Sequence, residues 1–424
     1  MDFNPPLKGG LYEHVLKYFD QAADRMGLDL YVRKILRTTA SEILVHFPVK
    51  MDDGRVEMMA GYRIQHCNVL GPFIGGMRFH PDLNQDMARG LACLATFRAA
   101  LINLPCGGAQ GGLQIAPSRY TMGELERLTR RFTYALGSDI GPEYDISAPD
   151  INTDSQIMVW MLDTYVSTLP PYERGRNTHV VTGKPLESGG TLGREKGPGQ
   201  GIVYLLKEWA RDRRFGLYSA TFAVQGFGNV GSWTARLLKT EGCRMVAVED
   251  NTGAIHNKDG IDPDALYEYV KAQGGVKDYP QARAISHEDF FGTKCDIFIP
   301  AAVENQITAE IAENLNVRLI AEGANGPLAP EADVVFEKRG IDVIPDILCN
   351  SGGAIANYFE WIQNKRSEYW EQEEVDTKLR KRILEAYVKV RDMARNLSVD
   401  WRTAAYMVAL HRLETVFKER GIFP

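Results

Sequence analysis

The chain of 424 residues lacks the paired residues that would indicate a metal site or a disulfide framework. Its six cysteines are scattered without a C-x-x-C pair, and no two of its eight histidines have the H-x-x-x-H spacing. Zinc sites and disulfide-rich domains need such spacings. We therefore expect no bound metal and interpret the cysteines as reduced thiols of a cytoplasmic protein.

Long apolar runs and an excess of basic residues are missing as well. No stretch approaches the ~20 apolar residues that span a bilayer, and the first ten residues lack the basic and apolar blocks of a signal peptide. The formal net charge is −6. Because nucleic-acid binding needs a basic surface, we expect neither a membrane nor a nucleic-acid partner.

The length predicts two domains with different organisation. Residues 1–183 mix amphipathic helices, such as 11–27 and 84–103, with strand-like runs such as 42–49 and 56–66. A glycine-dense segment, 182–201, follows and is read as a linker or a functional loop. Strands and helices then alternate through 184–351, which predicts a parallel doubly wound sheet. The helices of 352–424 are expected to return to the first domain.

The second domain carries a dinucleotide-binding fingerprint. The strand-like run Thr221–Gln225 is followed at once by Gly226, Gly228 and Gly231 in a G-x-G-x-x-G pattern that includes Asn229 and Val230. In this pattern the glycines permit a tight turn, close approach to a pyrophosphate and close helix packing. The alternative is that these glycines only shape a strand-to-helix turn.

Two acidic residues end the next strand at the distance from the fingerprint where a ribose-binding carboxylate is expected. Either Glu249 or Asp250 could accept hydrogen bonds from the adenosine ribose, and either would repel a 2′-phosphate. The pattern therefore favours NAD over NADP.

Seven further segments resemble the signatures of the glutamate/leucine/phenylalanine/valine dehydrogenase family, and the overall pattern is most similar to hexameric glutamate dehydrogenases. They are 71–81 (GPFIGGMRFHP), a glycine-rich loop at 104–112 (LPCGGAQGG), 147–153 (SAPDINT), 181–185 (VTGKP), 189–194 (GGTLGR), 322–327 (EGANGP) and 350–353 (NSGG). The resemblance implies an N-terminal α/β substrate and oligomerisation domain and a Rossmann NAD-binding domain. It also implies oxidative deamination of an L-amino acid to a 2-oxo acid.

Carried over position by position, the resemblance leaves an incomplete catalytic set. Asp150 matches the catalytic aspartate, although an aspartate after proline is also a common helix N-cap. Gln110 stands where the family has its catalytic lysine, and an amide carries no charge and exchanges no proton near neutral pH. Arg98 replaces the lysine that holds the α-carboxylate, although it could also be an exposed helix arginine.

The positions for the substrate side chain and the nicotinamide are also altered. Ile74 and Asn357 stand where glutamate enzymes have the lysine and the serine that bind the side-chain carboxylate, which disfavours glutamate and favours an apolar amino acid or an empty site. Pro198 replaces a threonine near the nicotinamide. Asn325 and Asn350 match positions that contact the nicotinamide ribose and ring.

Three hypotheses follow from this mixture of retained and altered positions. The first is a catalytically impaired, regulatory or ligand-sensing homologue, assembled as a hexamer with itself or with an active homologue. The second is an active NAD-dependent dehydrogenase for another amino acid, in which Asp150 and water carry the chemistry. The third is an NAD-binding assembly partner without an amino-acid site.

Overall fold

The computed structural model describes residues 10–421, which divide into two compact units. The first unit comprises residues 10–194, 354–377 and the residues from 407 onward. The second comprises 195–353 and 378–406. The C-terminal helices that the sequence placed together in 352–424 are thus divided between the two units.

The first unit is built on a five-stranded sheet with the order β1-β2-β4-β3-β5. Strands β1 and β2 form an antiparallel pair, whereas β3 runs parallel to β4 and to β5. The elements are α1 (Leu11–Met26), α2 (Leu30–Leu36), β1 (Ser41–Lys50), β2 (Val56–Cys67), β3 (Phe73–Phe79), α3 (Gln85–Leu101), β4 (Gly107–Leu113), α4 (Met122–Leu136), β5 (Asp145–Pro149), α5 (Ser155–Ser167) and α6 (Pro171–Arg174).

The glycine-rich segment expected to be a loop is the central strand β4. It pairs with β2 on one side and with β3 on the other. Glycines are needed here because neighbouring backbones come very close: a Cβ on Gly75 would lie 1.6 Å from the carbonyl oxygen of Ala109. The helices expected over 11–27 and 84–103 are confirmed as α1 and α3.

The two faces of this sheet have different neighbours. One face packs on α4 and α5 through an apolar cluster that includes Met77, Phe79, Leu113 and Phe132. The other face packs on α3, since a Cβ on Gly108 would lie 2.2 Å from the backbone nitrogen of Thr96. Because side chains alternate along a strand, residues 74, 76, 108 and 110 all belong to the α3 face.

The second unit is a seven-stranded sheet with the order β12-β11-β10-β6-β7-β8-β9. Its elements are α7 (Gly197–Arg213), β6 (Thr221–Gln225), α8 (Asn229–Thr240), β7 (Arg244–Asp250), β8 (Gly253–Ile261), α9 (Pro263–Gln273), β9 (Arg283–Ile285), α10 (His287–Gly292), β10 (Ile297–Pro300), α11 (Ala309–Asn314), β11 (Leu319–Ala321), α12 (Pro330–Arg339), β12 (Asp342–Ile344) and α13 (Asp346–Cys349). Helices α14 (Ser351–Arg366), α15 (Gln372–Leu397) and α16 (Trp401–Arg420) complete the chain.

The doubly wound sheet expected from the sequence is confirmed for the strands from β12 to β7, which are all parallel. Strands β8 and β9 extend it in antiparallel fashion and were not predicted. The chain reverses directly after β7, where the Asp250 carboxylate accepts hydrogen bonds from the backbone nitrogen and hydroxyl of Thr252. Within residues 10–421 no helix is long and apolar enough to cross a membrane.

Candidate functional site

Gln110 and Asp150 are in direct contact in the first unit. The Gln110 side-chain nitrogen Nε2 donates a hydrogen bond of 2.7 Å to Oδ2 of Asp150. Gln110 is buried at the centre of β4, and Asp150 follows β5 directly with its side chain 18% exposed. The two residues that the sequence offered as catalytic candidates are therefore joined to each other.

A second donor, Arg78 on β3, binds the same oxygen of Asp150. Its Nε lies 2.9 Å from Oδ2, and the arginine side chain is 2% exposed. Burial by itself would raise the pKa of Asp150, but the charge and hydrogen bond of Arg78 and the hydrogen bond of Gln110 outweigh it and lower that pKa. The carboxylate is thus held ionised and already hydrogen-bonded.

The alternative role of Asp150 as a helix N-cap does not apply to α5. That helix is capped by Asp154, whose side chain accepts from the backbone nitrogen of Ile157. The backbone nitrogen of Asp150 instead donates to the hydroxyl of Thr153. The Asp150 side chain therefore points to Gln110 and Arg78 rather than to a helix end.

Gly76 makes room for this contact. A Cβ at Gly76 would lie 2.8 Å from the Cβ of Asp150 and 3.0 Å from Oε1 of Gln110. Ile74 lies two residues earlier on the same face of β3 and is half-buried. Because alternate residues of a strand lie about 7 Å apart, the aliphatic side chain of Ile74 lies about 7 Å along β3 from Gly76, the glycine that contacts Asp150.

Arg98 lies on α3, the helix that packs on this face of the sheet. It is half-buried, so it is not the fully exposed helix arginine that was the alternative interpretation. Its neighbour Thr96 is completely buried and accepts a hydrogen bond of 3.1 Å from the backbone nitrogen of Gly108. The contact fixes α3 on β4 and with it the position of Arg98.

Asn357 on α14 is joined to Arg194 rather than to Asp150. Nε of Arg194 donates to Oδ1 of Asn357 over 3.1 Å. The guanidinium also lies close to Gly183, where a Cβ would come within 2.9 Å of its central carbon and 2.5 Å of a ring carbon of Pro149. Arg194 is thus a cation next to the residue that precedes Asp150.

The same helix fixes the segment that leads to Arg194. Both carboxylate oxygens of Glu360 accept from the backbone nitrogen of Gly183, and Oε1 also accepts from the Lys184 ammonium over 2.8 Å. The Lys184 and Glu360 side chains are completely buried. Burial lowers the pKa of Lys184 and Glu360 opposes that shift. Gly183 and Lys184 therefore belong to an ordered structure that is packed on α14.

The glycine fingerprint in the second unit has the geometry of a dinucleotide turn. A Cβ at Gly231 would lie 1.9 Å from the carbonyl oxygen of Gly226, so helix α8 packs directly on the turn. Gly228, the N-cap of α8, has open space where its Cβ would be. A pyrophosphate can therefore approach the backbone there, at the positive end of the helix dipole.

The two acidic residues after β7 have different environments. Glu249 is buried and accepts hydrogen bonds from His287 over 2.6 Å and from Gln225 over 3.3 Å. Burial raises its pKa, and the contact with His287 opposes that shift. Asp250 is half-buried and binds the backbone of Thr252 and of Val276. Of the two acids, Asp250 is the more accessible to a ribose.

The asparagines that match nicotinamide contacts lie together. Nδ2 of Asn350 donates to Oδ1 of Asn325 and to the carbonyl oxygen of Ala324, both over 2.9 Å. Oδ1 of Asn350 is buried and accepts no hydrogen bond from any residue between 10 and 421. A buried acceptor in this position fits the amide hydrogens of a nicotinamide.

Pro198 occupies the first turn of α7 and costs that helix little. The N–H groups of the first turn have no intrahelical partner, so a proline at the second position of α7 removes no helix hydrogen bond. Its ring lies against Gly353, where a Cβ would come within 3.2 Å of Cγ. Pro198 is therefore accommodated at the start of α7 without loss of a helix hydrogen bond.

Comparison with known proteins agrees with both units. The family model for the Glu/Leu/Phe/Val dehydrogenase dimerisation domain matches residues 40–167, and the Glutamate/Leucine/Phenylalanine/Valine dehydrogenase model matches 189–421. The chain belongs to this dehydrogenase family. The resemblance, the two-domain α/β fold and the Rossmann-type second domain expected from the sequence are thereby confirmed.

Relatives cover nearly the whole chain. Glutamate dehydrogenase of Thermotoga maritima is 42% identical over 98% of this chain and 99% of its own length. An NAD-specific glutamate dehydrogenase of Clostridioides difficile is 39% identical over 97% and 98%. Among solved structures, a hetero-hexameric glutamate dehydrogenase from Thermus thermophilus in a leucine-bound form superposes with a TM-score of 0.94, at 33% identity over the full length of both chains.

Two cations of the site, Arg78 and Arg194, were not identified as site residues from the sequence. Arg78 could have been identified, because side chains alternate along a strand and Arg78 therefore lies on the same face of β3 as Ile74 and Gly76. Arg194 gave no such signal, because its contact with Asn357 joins residues 163 positions apart.

Proposed function

We propose that this protein is a catalytically impaired, ligand-sensing glutamate dehydrogenase homologue that binds NAD and assembles with itself or with an active homologue. The observation that carries this proposal is the Gln110–Asp150 hydrogen bond. A lysine ammonium at position 110 would supply a positive charge and an exchangeable proton next to the reacting carbon, whereas the amide supplies neither. Loss of such a group typically costs about 10²–10⁴ in rate, apart from the lost charge stabilisation.

The state of Asp150 adds to this deficit. A carboxylate whose pKa is lowered is a weaker proton acceptor than an ordinary aspartate. Arg78 and Gln110 both donate to the same oxygen, so a proton taken up there must displace one of these donors. The geometry therefore favours an Asp150 carboxylate that stays ionised and hydrogen-bonded over one that transfers protons.

The residue types around Ile74 support an amino acid with an apolar side chain as the sensed ligand. Ile74 offers no partner to a side-chain carboxylate, and Nε of Arg194 already donates to Oδ1 of Asn357. Arg98 retains a positive charge suited to an α-carboxylate. Leucine is the natural first candidate, because the Thermus thermophilus structure that this chain matches is a leucine-bound form.

The dinucleotide site retains what NAD binding needs. The pyrophosphate fits the turn at Gly226 and the open approach at Gly228. The adenosine ribose fits the carboxylate of Asp250, and the nicotinamide fits the buried acceptor of Asn350. Relatives of this chain in Clostridioides difficile and Staphylococcus aureus are named NAD-specific. When bound, NAD supplies a hydride acceptor, and this chain's own residues supply its binding and orientation.

An apolar surface on the first unit supports assembly. On the outer face of the β1–β2 hairpin, Leu44, Val56 and Met58 have 55–67% of their surface exposed. The register places Met58 opposite Pro48 and Val56 opposite Lys50, so these side chains share one face. The matching family model is named a dimerisation domain, and the Thermus thermophilus protein is a hetero-hexamer. We therefore propose that this face contacts another subunit, in a homo- or hetero-hexamer.

The alternative function is that of an active NAD-dependent dehydrogenase for an apolar amino acid. Asp150 with an ordered water would then have to perform the proton transfers. The intact carboxylate and dinucleotide turn are what favour it.

One panel of measurements distinguishes these functions. The purified protein would be assayed with NAD and each common L-amino acid, and in reverse with 2-oxo acids, ammonia and NADH. We expect no turnover, calorimetric binding of NAD and leucine, and a change in the leucine response of an active homologue from the same genome after co-expression. Clear turnover with any amino acid would establish the alternative, and binding of NAD without any amino acid would reduce the function to assembly.

A further inference from the structure

A buried arginine lies among three carboxylates in the second unit. Arg402, in the first turn of α16, is 5% exposed and makes a bidentate pair with the completely buried Glu322. Its Nε donates to Asp333 over 2.7 Å, and Nη1, which already binds Glu322, lies 3.5 Å from Oδ1 of Asp346. A single guanidinium thus serves residues of the β11 end, α12 and α13.

Two of these carboxylates also bind the backbone of the segments that carry Asn325 and Asn350. The backbone nitrogen of Asp346 donates to Oε2 of Glu322 over 2.6 Å. The backbone nitrogen of Gly326 donates to Oδ2 of Asp346 over 2.9 Å. Segment 322–326 and segment 346–350 are therefore fastened to each other by the carboxylates that Arg402 holds.

We propose that Arg402 is a positioning residue for the nicotinamide half of the dinucleotide site. Through Glu322 and Asp346 it sets the distance between Asn325 and Asn350, whose amides are 2.9 Å apart. The proposal rests on NAD binding alone, and it holds whether or not the protein transfers a hydride.

Removing the guanidinium would leave three neighbouring carboxylates without their shared cation. Burial raises the pKa of Glu322, Asp346 and Asp333 add to that shift, and Arg402 opposes it, which leaves this pKa at about 7. Without Arg402, Glu322 takes up a proton, and a protonated carboxyl keeps fewer acceptor sites for the Asp346 backbone. The segments carrying the two asparagines then separate, while the glycine turn at Gly226–Gly231 is untouched.

The test compares NAD with ADP-ribose, which lacks the nicotinamide. Calorimetric titration of Arg402→Met should show NAD binding weakened about tenfold or more, with ADP-ribose binding changed by less than about twofold. Arg402→Lys, which keeps the charge but loses the planar fork, should fall between Arg402→Met and the unmodified protein. Asn350→Ala is the positive control and should lose NAD affinity selectively in the same way.

Two further variants separate positioning from loss of structure. Arg412→Met removes another arginine of α16, which binds the carbonyl oxygens of Ala99 and Ala100, and should leave both affinities unchanged. If Arg402→Met does not fold, Asp333→Asn loosens the guanidinium from the partly exposed side of the cluster and should weaken NAD selectively by a smaller factor. Equal weakening of NAD and ADP-ribose, or no weakening of either, overturns the proposal. So does an Asn350→Ala variant that binds both ligands normally.

Discussion

Gln110→Lys by itself is expected to leave the protein unable to oxidise glutamate. The lysine would place an ammonium where Nε2 now lies, 2.7 Å from Asp150, and could recover a general acid–base contribution of about 10²–10⁴. Glutamate must still bury its side-chain carboxylate near Ile74. A buried charge without its partner costs roughly 3–5 kcal/mol, which is about 10²- to 10⁴-fold in binding. The two effects are of similar size, so the repaired base gains nothing for this substrate.

The assay is initial-rate NAD reduction with glutamate and with leucine. For Gln110→Lys we expect no glutamate rate above the detection limit, whereas the combination of Gln110→Lys, Ile74→Lys and Asn357→Ser should give a rate at least about 10²-fold above that limit. Gln110→Met removes the hydrogen bond to Asp150 without adding a charge and should be inactive with both substrates. Robust glutamate oxidation by Gln110→Lys alone would refute the role assigned to Ile74.

Three further predictions concern the coenzyme turn, the buried cluster and assembly. Gly228→Ala should keep the melting temperature but weaken NAD binding in calorimetry. Gly231→Ala should lower the melting temperature, because its Cβ would lie 1.9 Å from the Gly226 carbonyl oxygen. Gly216→Ala, also in open space, is the control. The pKa of Glu322 is raised from 4.5 to about 7, so the free energy of unfolding should fall by about 3 kcal/mol as the pH rises from 4.5 through 7. Urea unfolding at several pH values measures this slope, and Glu322→Gln should remove it. Stability that rises over this range would contradict that pKa. The double variant Leu44→Glu, Met58→Glu should sediment as a smaller oligomer while its circular dichroism spectrum stays unchanged. An unchanged sedimentation coefficient would exclude this face from the interface.

The sequence predicted those elements whose pattern is local. Helices α1 and α3 lie where their apolar spacing indicated, and the G-x-G-x-x-G turn lies between β6 and α8 as expected. The sequence was a poor guide where tertiary contacts override local preference. Strand β4 has four glycines in seven residues, and only pairing on both sides makes such a segment a strand.

For the candidate site, the sequence offered residues but not the contacts between them. The sequence left open whether Glu249 or Asp250 faces the ribose, and only the fold shows that Glu249 is buried against His287 and Gln225. It offered Pro198 only as a replaced residue near the nicotinamide, and only the fold shows that this proline lies in the first turn of α7.

What the sequence by itself determined is the family and the two-domain fold. These depend on residue types and on spacings along the chain, which can be read without a structure. What only the tertiary structure decided is that Gln110 and Arg78 converge on one oxygen of Asp150 and that Arg402 joins the segments carrying Asn325 and Asn350. Those contacts link residues 40 to 80 positions apart, and packing of the sheets and helices alone brings them together.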